Sequence, residues 1–261
     1  MAEETVLVER ADGIATLTIN RPAVFNALNA SVLAALRVAV EDLADDGAGA
    51  IVITGAGAKA FSAGADLDEL AGLDAGAAHA ALAQGQRTMD AIAGSRVPVI
   101  AAVNGLALGG GFELILSCTF PVLAAHAALG LPESGLGLIP GYGGTQRLPL
   151  AIGRPASAHL MLTGERLSAQ RAYELGLAPV PPVHDDVLAT AQAIARVVAA
   201  KGPRAQSAIL AALQTSAAGA DGLRLEAALA GIATAGAEAA EGITAFRAKR
   251  RPDFAATDGG A

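Results

Sequence analysis

Two short apolar runs, "AIVITG" at residues 50–55 and "VPVIAAV" at residues 97–103, most constrain how this chain can fold. They are rich in β-branched residues, bounded by turn formers and too short for helices, so both read as buried strands. Between them, residues 77–93 form a polar-alanine segment that reads as a helix. Another helix is read from Ser31, where Leu33, Leu36, Val40 and Leu43 recur at helical spacing, and it ends at Gly47. Upstream, "TVLVE" and "GIATLTI" flank the turn signal "RADG" and read as a hairpin; "TFPVLAA" reads as a further strand. Strands interleaved with helices argue for an α/β domain. From about Ser168 the strand signal fades, and "DDVLATAQAIARVVAAKG" and the residues after it read as helices. The expected organisation is an α/β core over residues 1–200 and a helical segment over residues 201–261, with a soft boundary near residue 200.

Hydrophobic residues make up 53% of the 261 and charged residues 16%, so there is material for a large core. Aromatics are only 3% and much of the apolar fraction is alanine, so that core rests on close backbone approach. A surface covered by subunit contacts is the other outlet for such a composition. The net charge of −7 argues against a broad nucleic-acid surface, which needs clustered cations. A small anionic ligand needs only a few cations or a helix N-terminus and stays open. Cys118 is the single cysteine and reads as a buried structural thiol. "MAEETVLVER" lacks the apolar stretch of a signal peptide, and no run of 18 apolar residues reads as a membrane span, so the expectation is a soluble, cytoplasmic protein.

The chain carries no Walker A pattern, no GxGxxG after a strand, no GxSxG and no HExxH. His79, His126, His159 and His184 are scattered without metal-ligand spacing and read as surface or structural histidines. Nucleotide hydrolases, serine hydrolases and zinc enzymes all lose ground.

Three segments remain chemically suggestive: "KAFSAGAD" (59–66), read as a loop; "GGGFE" (109–113), read as the start of a helix; and the irregular loop "LPESGLGLIPGYGG" (131–144). Small residues let a ligand approach the backbone, and free N–H groups at a helix start can polarise a carbonyl. Each segment also has a plain reading. Phe112, Ile115 and Leu116 could form a buried stripe that leaves Glu113 and Ser117 on a polar face. Glu133 could be an ordinary loop carboxylate. Sequence spacing alone does not bring the two glutamates together.

In chain order, "LTINRPAVFNALN", "KAFSAGADLDEL", "VPVIAAVNGLALGGGFELILSC", "LGLPESGLGLIPGYGGTQRLPLAIG", "LTGERLSAQRAYELGL" and "EGITAFRAKRRPDF" are similar to segments of the enoyl-CoA hydratase (crotonase) family. The resemblance implies a spiral of ββα units with a helical C-terminal segment used in a homotrimer or a homohexamer of stacked trimers. It implies an acyl-CoA thioester as substrate, with coenzyme A part of that substrate, no separate cofactor and no metal. Carried over by motif position, the N–H groups of Ala65 and Gly110 are the oxyanion donors. Glu113 and Glu133 are the acid–base carboxylates, and Gly141 lies against the site. Lys59, Ala63, Asp66, Leu67 and Lys249 join Ala65 and Gly110 as substrate-binding positions, the lysines toward the CoA phosphates. The implied activity is a lyase of fatty acid metabolism, hydrating 2-enoyl-CoA. A double-bond isomerase and a catalytically idle acyl-CoA-binding subunit are the alternatives. Three positions depart from the family's pattern: Ala23 replaces a basic residue, Thr119 an aspartate, and Ala230 and its neighbours an aromatic.

Overall fold

The computed structural model describes residues 4–215 and 220–257. Strands β1 (Val6–Ala11) and β2 (Ile14–Ile19) form the expected antiparallel hairpin, turning through Asp12 and Gly13, both at positive φ. Helix α1 (Ala30–Asp45) follows, its first turn closed by Asn29, whose side chain accepts the Val32 N–H at 2.9 Å. Val32, Leu33, Leu36, Val40 and Leu43 form its buried stripe, which is the periodicity that marked it in the sequence.

From there the chain alternates between two sheets. Strand β3 (Ala50–Gly55) joins the larger one, β4 (Ala60–Ser62) the smaller, and α2 (Leu67–Leu70) and α3 (Ala75–Ala93) return the chain. The cycle repeats with β5 (Val99–Val103), β6 (Leu106–Leu108) and α4 (Gly110–Ser117), then with β7 (Phe120–Leu123) and β8 (Ala128–Gly130). The larger sheet runs β1-β2-β3-β5-β7, parallel from β2 onward. Helices α5 (Gly144–Ile152) and α6 (Arg154–Thr163) lead to β9 (Leu167–Ser168), which completes the smaller sheet β4-β6-β8-β9. Helices α7 (Ala169–Glu174) and α8 (Val187–Ala199) follow, and α8 packs across β3 and β5. This is the ββα spiral expected from the resemblance.

The smaller sheet corrects the reading of "KAFSAGAD" as a loop. "AFS", "LAL" and "ALG" are strands of three residues each. Such pieces are too short to show a period and exist because the first sheet sets their neighbours side by side. Thr119 has a structural use: its Oγ1 accepts the Val99 N–H at 3.0 Å and closes the start of β5.

The C-terminal helices are α9 (Pro203–Gln214), α10 (Ala220–Ala235) and α11 (Ala237–Arg247). Gly202 offers α9 no side-chain cap. Glu238 of α11 does so instead, accepting the N–H groups of Arg204 at 2.9 Å and Ala205 at 3.2 Å. Among the described residues no helix is long and apolar enough to cross a membrane.

Candidate active site

Helix α4 begins where β6 ends, and each glycine of "GGG" has a spatial reason. Gly109 has φ +50°, a conformation that a side chain resists. A Cβ on Gly111 would collide with the Ser62 carbonyl of β4, so the helix can lie against that strand only without one. Gly110, between them, faces the turn after β4. A Cβ on Gly110 would stand 3.2 Å from the Ala65 nitrogen, and one on Gly64 would stand 3.1 Å from the Gly110 nitrogen. The N–H groups of Ala65 and Gly110 are thereby brought close together. Neither donates a hydrogen bond to the described residues. For Gly110, the first residue of α4, no intrahelical acceptor exists.

The turn that carries Ala65 is fixed from behind. Asn26, 1% exposed and at φ +58°, donates to the carbonyls of Ala56 and Ala60 and accepts from the Arg21 N–H. Arg21 forms a half-buried ion pair with Asp66 at 2.9 Å and also donates to the Ala27 carbonyl. Leu28 donates to the Gly64 carbonyl, and Asp66 donates to Leu28. Asp66, expected at the substrate, therefore anchors the turn through its carboxylate. Asn26 and Arg21 were not singled out in the sequence, although an asparagine suits a left-handed position.

Glu113 is 2% exposed and Ser117 equally buried, while Leu116 is the partly exposed residue. The polar-face reading of α4 is therefore wrong, because the helix is enclosed on the side of both sheets and α5. Glu113 Oε1 accepts two backbone N–H groups, from Tyr142 at 2.8 Å and Gly144 at 2.7 Å. Burial raises this carboxyl from its ordinary 4.5 to about 7, against those two hydrogen bonds and the Arg147 charge; nearby Glu133 adds to the rise. Arg147 of α5 donates to the Tyr142 carbonyl at 2.9 Å and to Asp90 at 2.7 Å, and Gln86 donates to the Gly141 carbonyl at 2.9 Å. Two polar groups of α3 thus hold the loop that holds Glu113.

Glu133 opens a short 3-10 turn, and its carboxylate approaches the same helix start. A Cβ on Gly109 would stand 3.1 Å from Glu133 Oε1. Its Oε2 is buried without a hydrogen-bond partner among the described residues, and burial raises this carboxyl as well. A buried, unpartnered carboxylate oxygen favours the protonated form, which can donate. The fold thus gathers two carboxyls of raised proton affinity and two unengaged N–H donors around Gly109–Gly110.

The other expected positions spread outward. Gly141 packs against Leu82 of α3. Ala63 donates to the Phe25 carbonyl. Leu67 is half-exposed, and Lys59 lies exposed at the entry to β4. Lys249 is exposed beyond α11 at φ +53°. Of the histidines, His79 and His184 are exposed, His126 meets the Asn104 carbonyl and His159 pairs with Glu165. Cys118 donates to the Leu114 carbonyl, and burial pushes its thiol up to about 12. Among the described residues no cluster of His, Cys, Asp and Glu could hold a metal. A groove of ≈ 970 Å³ lies elsewhere, between the end of α1 and α9–α11.

Residues 9–257 match the profile of the family described as enoyl-CoA hydratase/isomerase. A crotonyl-CoA hydratase of Syntrophomonas wolfei is 39% identical, covering 97% of this chain and 99% of its own length. A probable enoyl-CoA hydratase of Mycobacterium bovis is 42% identical over the same shares. The crystal structure of an enoyl-CoA hydratase from Bacillus anthracis superposes with a TM-score of 0.91 at 36% identity, covering 96% of this chain and 98% of that one. With the glycine-lined helix start, the second sheet that supports it and a match running nearly end to end, the chain belongs to the enoyl-CoA hydratase/isomerase family.

Proposed function

We propose that this protein is an enoyl-CoA hydratase, catalysing reversible syn addition of water across the C2–C3 double bond of a 2-enoyl-CoA thioester. The observation that carries the reading is the meeting of Glu113 and Glu133 beside the unengaged N–H groups of Ala65 and Gly110. The thioester oxygen accepts from those two donors as it gains negative charge. One such donor is typically worth about 2.7–4 kcal/mol of transition-state stabilisation. The carbonyl draws electrons from C3. Ionised Glu113, its Oε1 fixed by Tyr142 and Gly144, takes a proton from water through its other oxygen as the water attacks C3. Protonated Glu133 delivers a proton to C2. Two carboxyls near one water split into an acid and a base because they do not ionise independently.

The curated relatives named crotonyl-CoA hydratase and probable enoyl-CoA hydratase support the same reaction here. A double-bond isomerase needs a proton relay without an attacking water. The presence of two carboxyls in one site favours hydration over that alternative. Exposed Lys59 serves the CoA phosphates, with Lys249 reaching them from a neighbouring subunit of a trimer or stacked trimers.

Incubation with crotonyl-CoA and other enoyl thioesters, with products identified by mass and double-bond position, tests the reading. The 3-hydroxyacyl thioester is expected. Migration of the double bond without water uptake, or no turnover of any thioester, would overturn it. Sedimentation of a monomer at micromolar concentration would overturn the assembly.

A further inference from the structure

The side chain of Tyr142 has no part in the proton transfers proposed above, yet its ring borders the site. The residue is 4% exposed. Its ring fills the space that a Cβ on Gly85 of α3 would need, so α3 can approach only because residue 85 is glycine. On the other side, Tyr142 Cε2 lies 2.8 Å from where a Cβ on Gly110 would stand, and the Ala65 nitrogen lies 3.2 Å from that same point. The ring therefore reaches from α3 to the edge of the donor pair, while the backbone N–H of the same residue holds Glu113. Its hydroxyl makes no hydrogen bond among the described residues. Burial, reinforced by the Glu113 and Glu69 carboxylates, pushes the phenol up to about 12, so it stays neutral. Leu82, one turn before Gly85, packs over Gly141 and extends the same apolar surface.

We infer that Tyr142 is the specificity-determining wall of the acyl site, limiting this protein to short 2-enoyl thioesters. The inference rests on the hydratase reading, which places the substrate carbonyl at Ala65 and Gly110 and the reacting carbons between the glutamates. Carbons beyond C3 then leave alongside the Tyr142 ring. In an open apolar pocket each buried methylene tightens binding about fourfold. Against a ring wedged between Gly85 and Gly110, added methylenes find no such space.

The test measures calorimetric binding of butyryl-, hexanoyl- and octanoyl-CoA, and hydration of crotonyl-CoA against 2-octenoyl-CoA, with the full-length protein. Wild type should bind octanoyl-CoA no tighter than butyryl-CoA. Tyr142→Ala should raise the octanoyl-to-butyryl affinity ratio, and in parallel the 2-octenoyl-to-crotonyl ratio of kcat/KM, by about tenfold or more. Tyr142→Phe keeps the ring and should keep both ratios. Tyr142→Leu, shorter than the ring, should shift them in the direction of alanine and serves if the alanine protein does not fold. Wild-type affinity rising about fourfold per methylene, or unchanged ratios in the Ala and Leu variants, would overturn the inference. Saturated thioesters that follow the expected ratios while no enoyl thioester is hydrated would uphold the wall and remove the hydratase reading.

Discussion

Gly144 donates its backbone N–H to Glu113 Oε1 at 2.7 Å, joining the first turn of α5 to the first turn of α4 across 31 positions of chain. With the Tyr142 N–H it offsets part, but not all, of the penalty of burying that carboxylate, whose proton affinity stays raised to about 7. Glu113, the base of the proposed mechanism, is therefore half-ionised near neutrality. kcat/KM should fall as pH drops through about 7, the value belonging to the coupled pair of carboxyls. A profile of crotonyl-CoA hydration that stays flat down to pH 5 would contradict this assignment.

The same shift has a consequence for stability. The folded protein binds this proton more tightly than the unfolded chain, so the contribution of Glu113 is fully present below about 4.5 and is lost as pH rises through about 7. Glu113→Gln cannot ionise and still accepts both N–H bonds. It should be more stable than wild type at pH 8, by at most about 3 kcal/mol, with the difference vanishing near pH 4. Urea unfolding at the two pH values checks this. Hydration by the same variant should fall by about 10²–10⁴-fold.

Glu133→Gln should lose activity on a similar scale of about 10²–10⁴-fold. The double variant should fall far less than the product of the two losses, because in the proposed mechanism both carboxyls act on one water in one transition state. Binding of a saturated acyl-CoA should survive in all three proteins, since the N–H groups of Ala65 and Gly110 remain. Near-wild-type hydration by Glu133→Gln would remove the two-carboxyl mechanism.

Asn26→Ala tests the support behind the Ala65 turn. It deletes three hydrogen bonds, leaves the Ala56 and Ala60 carbonyls without that donor and puts alanine at φ +58°. A loss of about 2–4 kcal/mol is expected from urea denaturation. A larger fall in kcat/KM than in thioester binding should accompany it if the turn positions the donor for the transition state. A variant as stable and as active as wild type would show that the turn holds itself.

Lys59→Ala and Lys249→Ala should each raise KM more than they lower kcat, because the phosphates lie far from the reacting carbons. Both effects should shrink at high salt, where exposed charges are screened. An unchanged KM in both variants at low salt would withdraw these lysines from the CoA site.

The periodic elements were legible in the chain itself. α1 shows its buried stripe in Leu33, Leu36, Val40 and Leu43, and β3 and β5 are continuous apolar runs, because burial on one face or on both leaves a repeating mark. The family's motifs were also legible, since six segments keep their order along the sequence. The smaller sheet was not. β4, β6 and β8 have three residues each, and no period fits in three positions. Nor did the sequence decide between a solvent-facing and a buried Glu113, because that depends on α5 and the second sheet enclosing α4. The hydrogen bonds that hold Glu113, the Asn26 and Arg21–Asp66 support of the Ala65 turn, and the Tyr142 ring between Gly85 and Gly110 join residues far apart in the chain. Local pattern records what a residue does to its own element. Only the packing of α3, α4 and the 131–144 loop against one another decides which groups lose water together, and hence which carboxyls keep their protons.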